Sequence, residues 1–170
     1  ESFNSIPMSP VILVHWRIPD PDETYPNGFG FLMPRLFDLR VLGTLFPSRL
    51  FKNRTEDGYQ LFATFYGGMT DKAAMDMDDK AITELLLTEH RKIFGRELEG
   101  AEIIKILRYP AAIPQLIPSH PETITHIYDT LSKETPGIAL AGNYLTGVGI
   151  EHAAESGYRA VEKINGKNNK

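Results

Sequence analysis

The sequence predicts an α+β fold, a mixed and largely antiparallel sheet accompanied by three main helices, and three observations carry that prediction. Short apolar runs in the first part of the chain alternate with clusters of Pro, Asn, Asp and Gly, which is the patterning of strands and turns. At Asp78 the apolar period changes to helical spacing, and later apolar stretches are bounded by capping and breaking residues. A balance of 42% hydrophobic and 24% charged residues over 170 positions suits one globular chain with a sizeable core.

Each element follows from its own residues. "VILVHW" (11–16), "FGFLM" (29–33), "VLGTLF" (41–46) and "YQLFATFYGG" (59–68) read as strands, with "IPDPDETYPNG" and "NRTEDG" as the turns between them. Asn27–Gly28 is a hairpin signal. Ile82, Leu85, Leu86, Glu89 and Ile93 fall at helical spacing, so a helix capped by Asp78 or Asp79 should run to Phe94 and stop at Gly95. "EIIKILRY" (102–109) predicts another strand, followed by a Pro-rich loop, "YPAAIPQLIPSH", too poor in N–H donors for regular structure. Ser119 and Glu122 have capping-box spacing and open a helix whose buried face is Ile124, Ile127, Tyr128 and Leu131, ended by Pro136–Gly137. Ile138–Ala141 reads as a short buried strand that Gly142–Asn143 end. Gly147, Val148 and Gly149 then open a last helix with Ala153, Gly157 and Ala160 on one face. No internal repeat is present, and 166–170 reads as a disordered tail.

Charge and composition exclude several functions. A net charge of −4 with scattered Lys and Arg argues against nucleic-acid binding, which needs a clustered basic surface. The chain has no cysteine, hence no disulfide, thiolate nucleophile or Cys-type zinc site, which is compatible with a reducing, cytoplasmic setting. No stretch reaches the roughly 18 apolar residues of a membrane helix. His152 and Glu155 lie one helical turn apart without further ligands, and "MDMDD" (75–79) lacks the Gly and distal Glu of a calcium loop, so no metal is expected. His120 reads as a helix-start residue, and no nucleophile-elbow pattern organises the Ser, His and Asp residues, so no side chain is assigned a catalytic role. The chain begins at Glu1 within what reads as the middle of a domain, which suggests a fragment.

The stretch "GIALAGNYLTGVGIEHAAESGYRAVEKI" is the most informative. Free N–H groups at the first turn of its helix, with the positive end of the helix dipole behind them, suit a ring that gains negative charge, as a flavin does on reduction. An ordinary strand–turn–helix packed on a sheet reads the same way. The stretch does not spell GxGxxG, since His152 stands where the last glycine belongs.

"GFGFLMP" (28–34), "LGTLFPSRLF" (42–51), "LFATFYGG" (61–68), "AAIPQL" (111–116) and "AGNYLTGVGIEHAAESGYRA" (141–160) together resemble the C-terminal part of the oxygen-dependent protoporphyrinogen oxidase family, within the flavin-containing amine oxidase superfamily. The resemblance covers Pro10 to Ile164. It implies a fragment of a two-domain FAD-dependent oxidase fold, with 1–136 the later part of the substrate domain and 137–165 the strand–helix that returns to the FAD domain. The reaction implied is FAD-dependent, oxygen-linked oxidation of protoporphyrinogen or coproporphyrinogen in heme biosynthesis. Carried over motif by motif, Val148, Gly149 and Ile150 would lie against the isoalloxazine or ribityl part of FAD, with Gly142, Asn143 and Gly147 shaping the turn of this cofactor site, and Tyr109 stands where the family has a Trp near the flavin. Leu116 and "IPSH" also depart from that loop motif. Leu32, Leu45 and Phe65 fall on the apolar substrate pocket. The family's N-terminal FAD-binding part is missing here, so FAD is expected in the complete protein and not on this chain alone, which should not turn over. A homo-oligomer formed through exposed apolar surface, and a peripheral membrane location of the complete protein, are further expectations. Two other readings stay open: a cofactor-free binding or interaction module that keeps the substrate-domain sheet, and a related flavin oxidase acting on an amine or carotenoid.

Overall fold

The computed structural model describes residues 2–166. It resolves into two compact units, Pro10–Pro110 and a second made from the two ends of the chain, up to Ser9 and from Ala111. The expected disordered tail lies outside the described residues except for Gly166, which sits in a turn.

The first unit is built on a five-stranded sheet in the order β2-β3-β4-β1-β5, where β1 is Met8–Pro19, β2 Gly30–Leu32, β3 Gly43–Leu45, β4 Tyr59–Gly67 and β5 Glu102–Pro114. Pairing is antiparallel between β1 and β4, from Val11↔Gly67 to Pro19↔Tyr59, and along β2–β3–β4. The strands expected in this unit are all present, but Asn27–Gly28 is no hairpin, because β1 lies beside β4 and β5 and not beside β2. β2 offers three residues for pairing, whereas β4 offers nine and brings Phe62 to stack on Trp16 at 4.4 Å. The longer ladder wins.

The core lies on one face of this sheet. Ile12, Val14, Trp16 and Ile18 alternate inward from β1, and Phe62 and Tyr66 from β4. They meet Ile82 and Leu86 of the long helix α2, Asp79–Phe94, which follows the four-residue α1, Pro47–Leu50. α2 begins and ends as its sequence predicts: the Asp78 carboxylate accepts from the Ala81 N–H at 2.7 Å, and Gly95 closes it in the left-handed conformation at φ 66°. From the same helix the buried Glu89 carboxylate accepts the N–H groups of Arg40 (2.6 Å) and Val41 (3.0 Å), which fixes the approach to β3.

β5 runs through Pro110 to Pro114, where the sequence predicts an irregular loop. As an edge strand it has one side without a partner, and proline is tolerated where no ladder donor is needed.

In the second unit, α3 (His120–Glu134) and α4 (Ile150–Ile164) accompany the chain's start, with Ile6, Ile127 and Leu145 buried and the Lys163 ammonium 4.4 Å from the centre of the Tyr128 ring. α3 starts where expected, but the Ser119 side chain makes no capping bond; its carbonyl accepts from Thr123 instead. Ile138–Ala141 forms no strand among the described residues, and Ile138 is half exposed. A strand exists only with a ladder partner, and none runs beside this segment.

Candidate functional site

Opposite the core, the sheet of the first unit presents a second face. Directly paired residues point to the same side, so two rows can be read from the register: Leu32–Gly43–Phe65–Leu13, and Gly30–Leu45–Ala63–His15. Leu32, Leu45 and Phe65 come from three strands and share this face. Large and small residues alternate across it. A Cβ at Gly43 would fall 2.6 Å from the Phe31 carbonyl oxygen and 3.1 Å from the Leu32 side chain, so glycine lets Leu32 lie across the strand towards Phe65. Leu32 itself is 86% exposed, and Leu45 and Phe65 are half-buried. On β5, Ile106 packs on the core and Arg108 turns the same way to bond the Met77 carbonyl and pair with Asp79, so alternation sends Tyr109 to the open face. The candidate flavin contact in this unit and the three candidate substrate contacts therefore share one surface.

A buried hydrogen-bond chain holds the strands beneath it. The His90 Nδ1–H donates to the Leu86 carbonyl (2.9 Å), which leaves Nε2 as an acceptor for the Thr44 hydroxyl (2.9 Å). Thr64 lies 3.0 Å from Thr44 and donates to it, and the Trp16 indole N–H donates to Thr64 (2.9 Å). All four side chains are fully buried. Burial lowers the His90 pKa to about 4 against the favourable bond to Leu86. Thr44 and Thr64 stand next to Leu45 and Phe65 in sequence, so the chain that fixes β3 against β4 also fixes the two apolar contacts on the other side.

In the second unit, Gly142, Asn143, Gly147, Val148, Gly149 and Ile150 line the turn into α4. Gly142 has φ 151°, and a Cβ there would meet the Tyr144 ring at 2.5 Å. Its N–H donates to the Ser156 hydroxyl (2.8 Å), which donates to the Ala153 carbonyl (2.6 Å), tying the turn to the helix. The Leu145 carbonyl accepts from His120 Nε2 (3.3 Å), so His120 is a buried structural contact. The His152 ring covers Gly147, where a Cβ would come within 2.6 Å. Gly149, the N-cap of α4, brings no side-chain acceptor, and Val148 and Ile150 beside the helix start are 48% and 90% exposed. Uncapped first-turn amides flanked by apolar side chains fit the electron-rich edge of a flavin ring. The sequence has no GxGxxG to cradle a pyrophosphate.

No motif in the sequence assigns a role to His15 or to the Thr44–Thr64–His90 chain. Thr44 in "LGTLF" and Thr64 in "LFATFYGG" are polar residues at the centres of apolar runs, a pattern that signals a buried hydrogen bond.

An antiparallel sheet with an apolar open face and an open helix start is the kind of arrangement a flavin-dependent oxidoreductase can use. Over residues 1–165 the chain matches the family of flavin containing amine oxidoreductases, and it belongs to that family. It is 27% identical over 142 residues to the chloroplastic protoporphyrinogen oxidase of Nicotiana tabacum, a match covering 82% of this chain and 26% of that protein. With the mitochondrial protoporphyrinogen oxidase of the same plant it shares 28% over 163 residues, 94% of this chain and 31% of the relative. It is 24% identical to the coproporphyrinogen III oxidase of Bacillus subtilis, over 79% of this chain and 28% of that one. The chain thus spans between a quarter and a third of these relatives. A solved structure described as "Putative protoporphyrinogen oxidase from Exiguobacterium sp. 255-15" superposes with a TM-score of 0.83 at 21% identity, covering 97% of this chain and 36% of that one, and shows the same fold. Among the described residues no helix is long and apolar enough to cross a membrane.

Proposed function

We propose that this chain supplies the substrate platform and part of the flavin contact of an FAD-dependent oxidase acting on protoporphyrinogen or coproporphyrinogen, with oxygen as final acceptor. The observation that carries the reading is the shared open face of Leu32, Leu45, Phe65 and Tyr109 within a chain of the flavin-containing family. Aliphatic and aromatic side chains around the small residues Gly43 and Ala63 suit a broad apolar macrocycle, which they bind and orient while excluding water. The amides at the start of α4 would hold the electron-rich edge of the isoalloxazine, with Val148 and Ile150 against its apolar side. When bound, the flavin supplies the hydride acceptor. No acid–base pair is required of this chain, because orientation and fixed dipoles are what such a dehydrogenation asks of its protein.

The test uses the whole polypeptide that contains this chain, loaded with FAD and given protoporphyrinogen IX or coproporphyrinogen III, with porphyrin fluorescence as readout. Oxidation well above the spontaneous rate is expected. Phe65→Ala should raise KM about tenfold, the loss of one aromatic contact. Porphyrin formation at the spontaneous rate alone would remove the proposal.

A further inference from the structure

The open face has a polar margin to which the resemblance gives no role. His15 closes the row Leu45–Ala63–His15, and Arg17 follows on the same strand face. Arg17 is already committed: Glu56 and Glu102 both bond its guanidinium, which sits 4.6 Å from the centre of the Tyr59 ring. Lys105 differs. It lies on β5, the neighbour of β1, in a stretch where Ile103 and Ile106 both reach the core although three positions apart. A regular strand would return to the core after two, so this step turns both Ile104 and Lys105 outward. Ile104 joins Arg17 in lining a shallow cavity of about 580 Å³, which marks the side on which this step opens. Lys105 is close enough to His15 to oppose its protonation, and among the described residues it belongs to no ion pair.

We propose that Lys105 is a carboxylate anchor, pairing with an acid side arm of the broad apolar ligand that lies across Leu45, Ala63 and Phe65, with His15 as a hydrogen-bonding neighbour. The inference rests on the reading of this face as a porphyrinogen platform and adds the group that recognises the ligand's acid substituents. The spacing fits. β5 lies two strands from β4, about 10 Å, and three from β3, about 14 Å, distances comparable with the reach from the middle of a macrocycle to the end of a carboxylate arm. Burial first and Lys105 second lower the pKa of His15, which disfavours a second cation beside the ammonium. A flexible ammonium can follow an arm whose position varies between related ligands.

Fluorescence titration of the whole FAD-loaded polypeptide that contains this chain, with protoporphyrin IX and with its dimethyl ester, tests this. The free acid should bind about five- to tenfold more tightly than the ester, the scale of a partly exposed ion pair. Lys105→Met should abolish that preference and leave ester affinity unchanged, Lys105→Arg should retain most of it, and Phe65→Ala should weaken both forms alike. Equal affinity for acid and ester, or a preference that survives Lys105→Met, would overturn the anchor while leaving the platform if Phe65→Ala still weakens binding. Failure of both forms to bind, or indifference to Phe65→Ala, would overturn the platform and the anchor with it.

Discussion

At His90 a single proton decides whether a buried network holds together. The neutral ring donates from Nδ1 to Leu86 and accepts at Nε2 from Thr44, and a second proton would place a donor against that hydroxyl in a site without water access. The folded-state pKa of about 4 lies below the ordinary value of 6.5, so on acidification the unfolded chain takes up this proton first. The stability owed to neutral His90 is therefore complete above pH 6.5 and is lost as pH falls towards 4. Between pH 7 and pH 4.5 the loss should be about 2–3 kcal/mol. Urea denaturation at the two pH values, in the parent and in His90→Gln, measures it, because the carboxylates common to both cancel. The parent should lose that much more than the variant, and identical pH dependence would show that His90 is not the responsible group.

Two helices in this chain announce their starts with the same kind of sequence signal, and only one uses it. The Asp78 carboxylate bonds the Ala81 N–H, so Asp78→Ala should cost about 1 kcal/mol by urea denaturation. Ser119 forms no such bond, so Ser119→Ala should stay within about 0.5 kcal/mol. Equal effects would contradict the capping difference. The ends of α2 were legible in sequence because caps are local. Ile138–Ala141 reads as a strand in sequence but forms none, because its apolar residues supply only half of what a strand requires, the other half being a neighbour. The prolines of β5 looked like loop because the sequence does not say which strand will be an edge. Alternation within β3 and β4 is visible in "LGTLF" and "LFATFYGG", but that Leu45, Phe65 and Leu32 share one face depends on pairings between distant residues. The outward turn of Lys105 depends on an irregular step that no periodicity encodes.

At the scale of the whole chain, a flavin placed at the start of α4, as proposed, would find a few amides and little else. The helix turns its small residues Ala153, Gly157 and Ala160 inward, while Ile150, Tyr158, Val161 and Ile164 stay between 57% and 90% exposed. Those side chains give the helix a large apolar surface that favours self-association at high concentration. A cofactor the size of FAD draws much of its affinity from its pyrophosphate and adenosine, and the sequence contains no glycine-rich fingerprint to hold them. The purified 170-residue chain should therefore be colourless and should remain without flavin after incubation with FAD and gel filtration. Absorbance in the flavin band, read together with the elution volume, checks both points: an apolar α4 face should give early elution at high concentration, returning to monomer when Tyr158 and Val161 are replaced by Glu. Stoichiometric flavin that survives gel filtration would mean that the amides of Ile150–His152 and their apolar flanks hold the ring far more strongly than first-turn donors alone can.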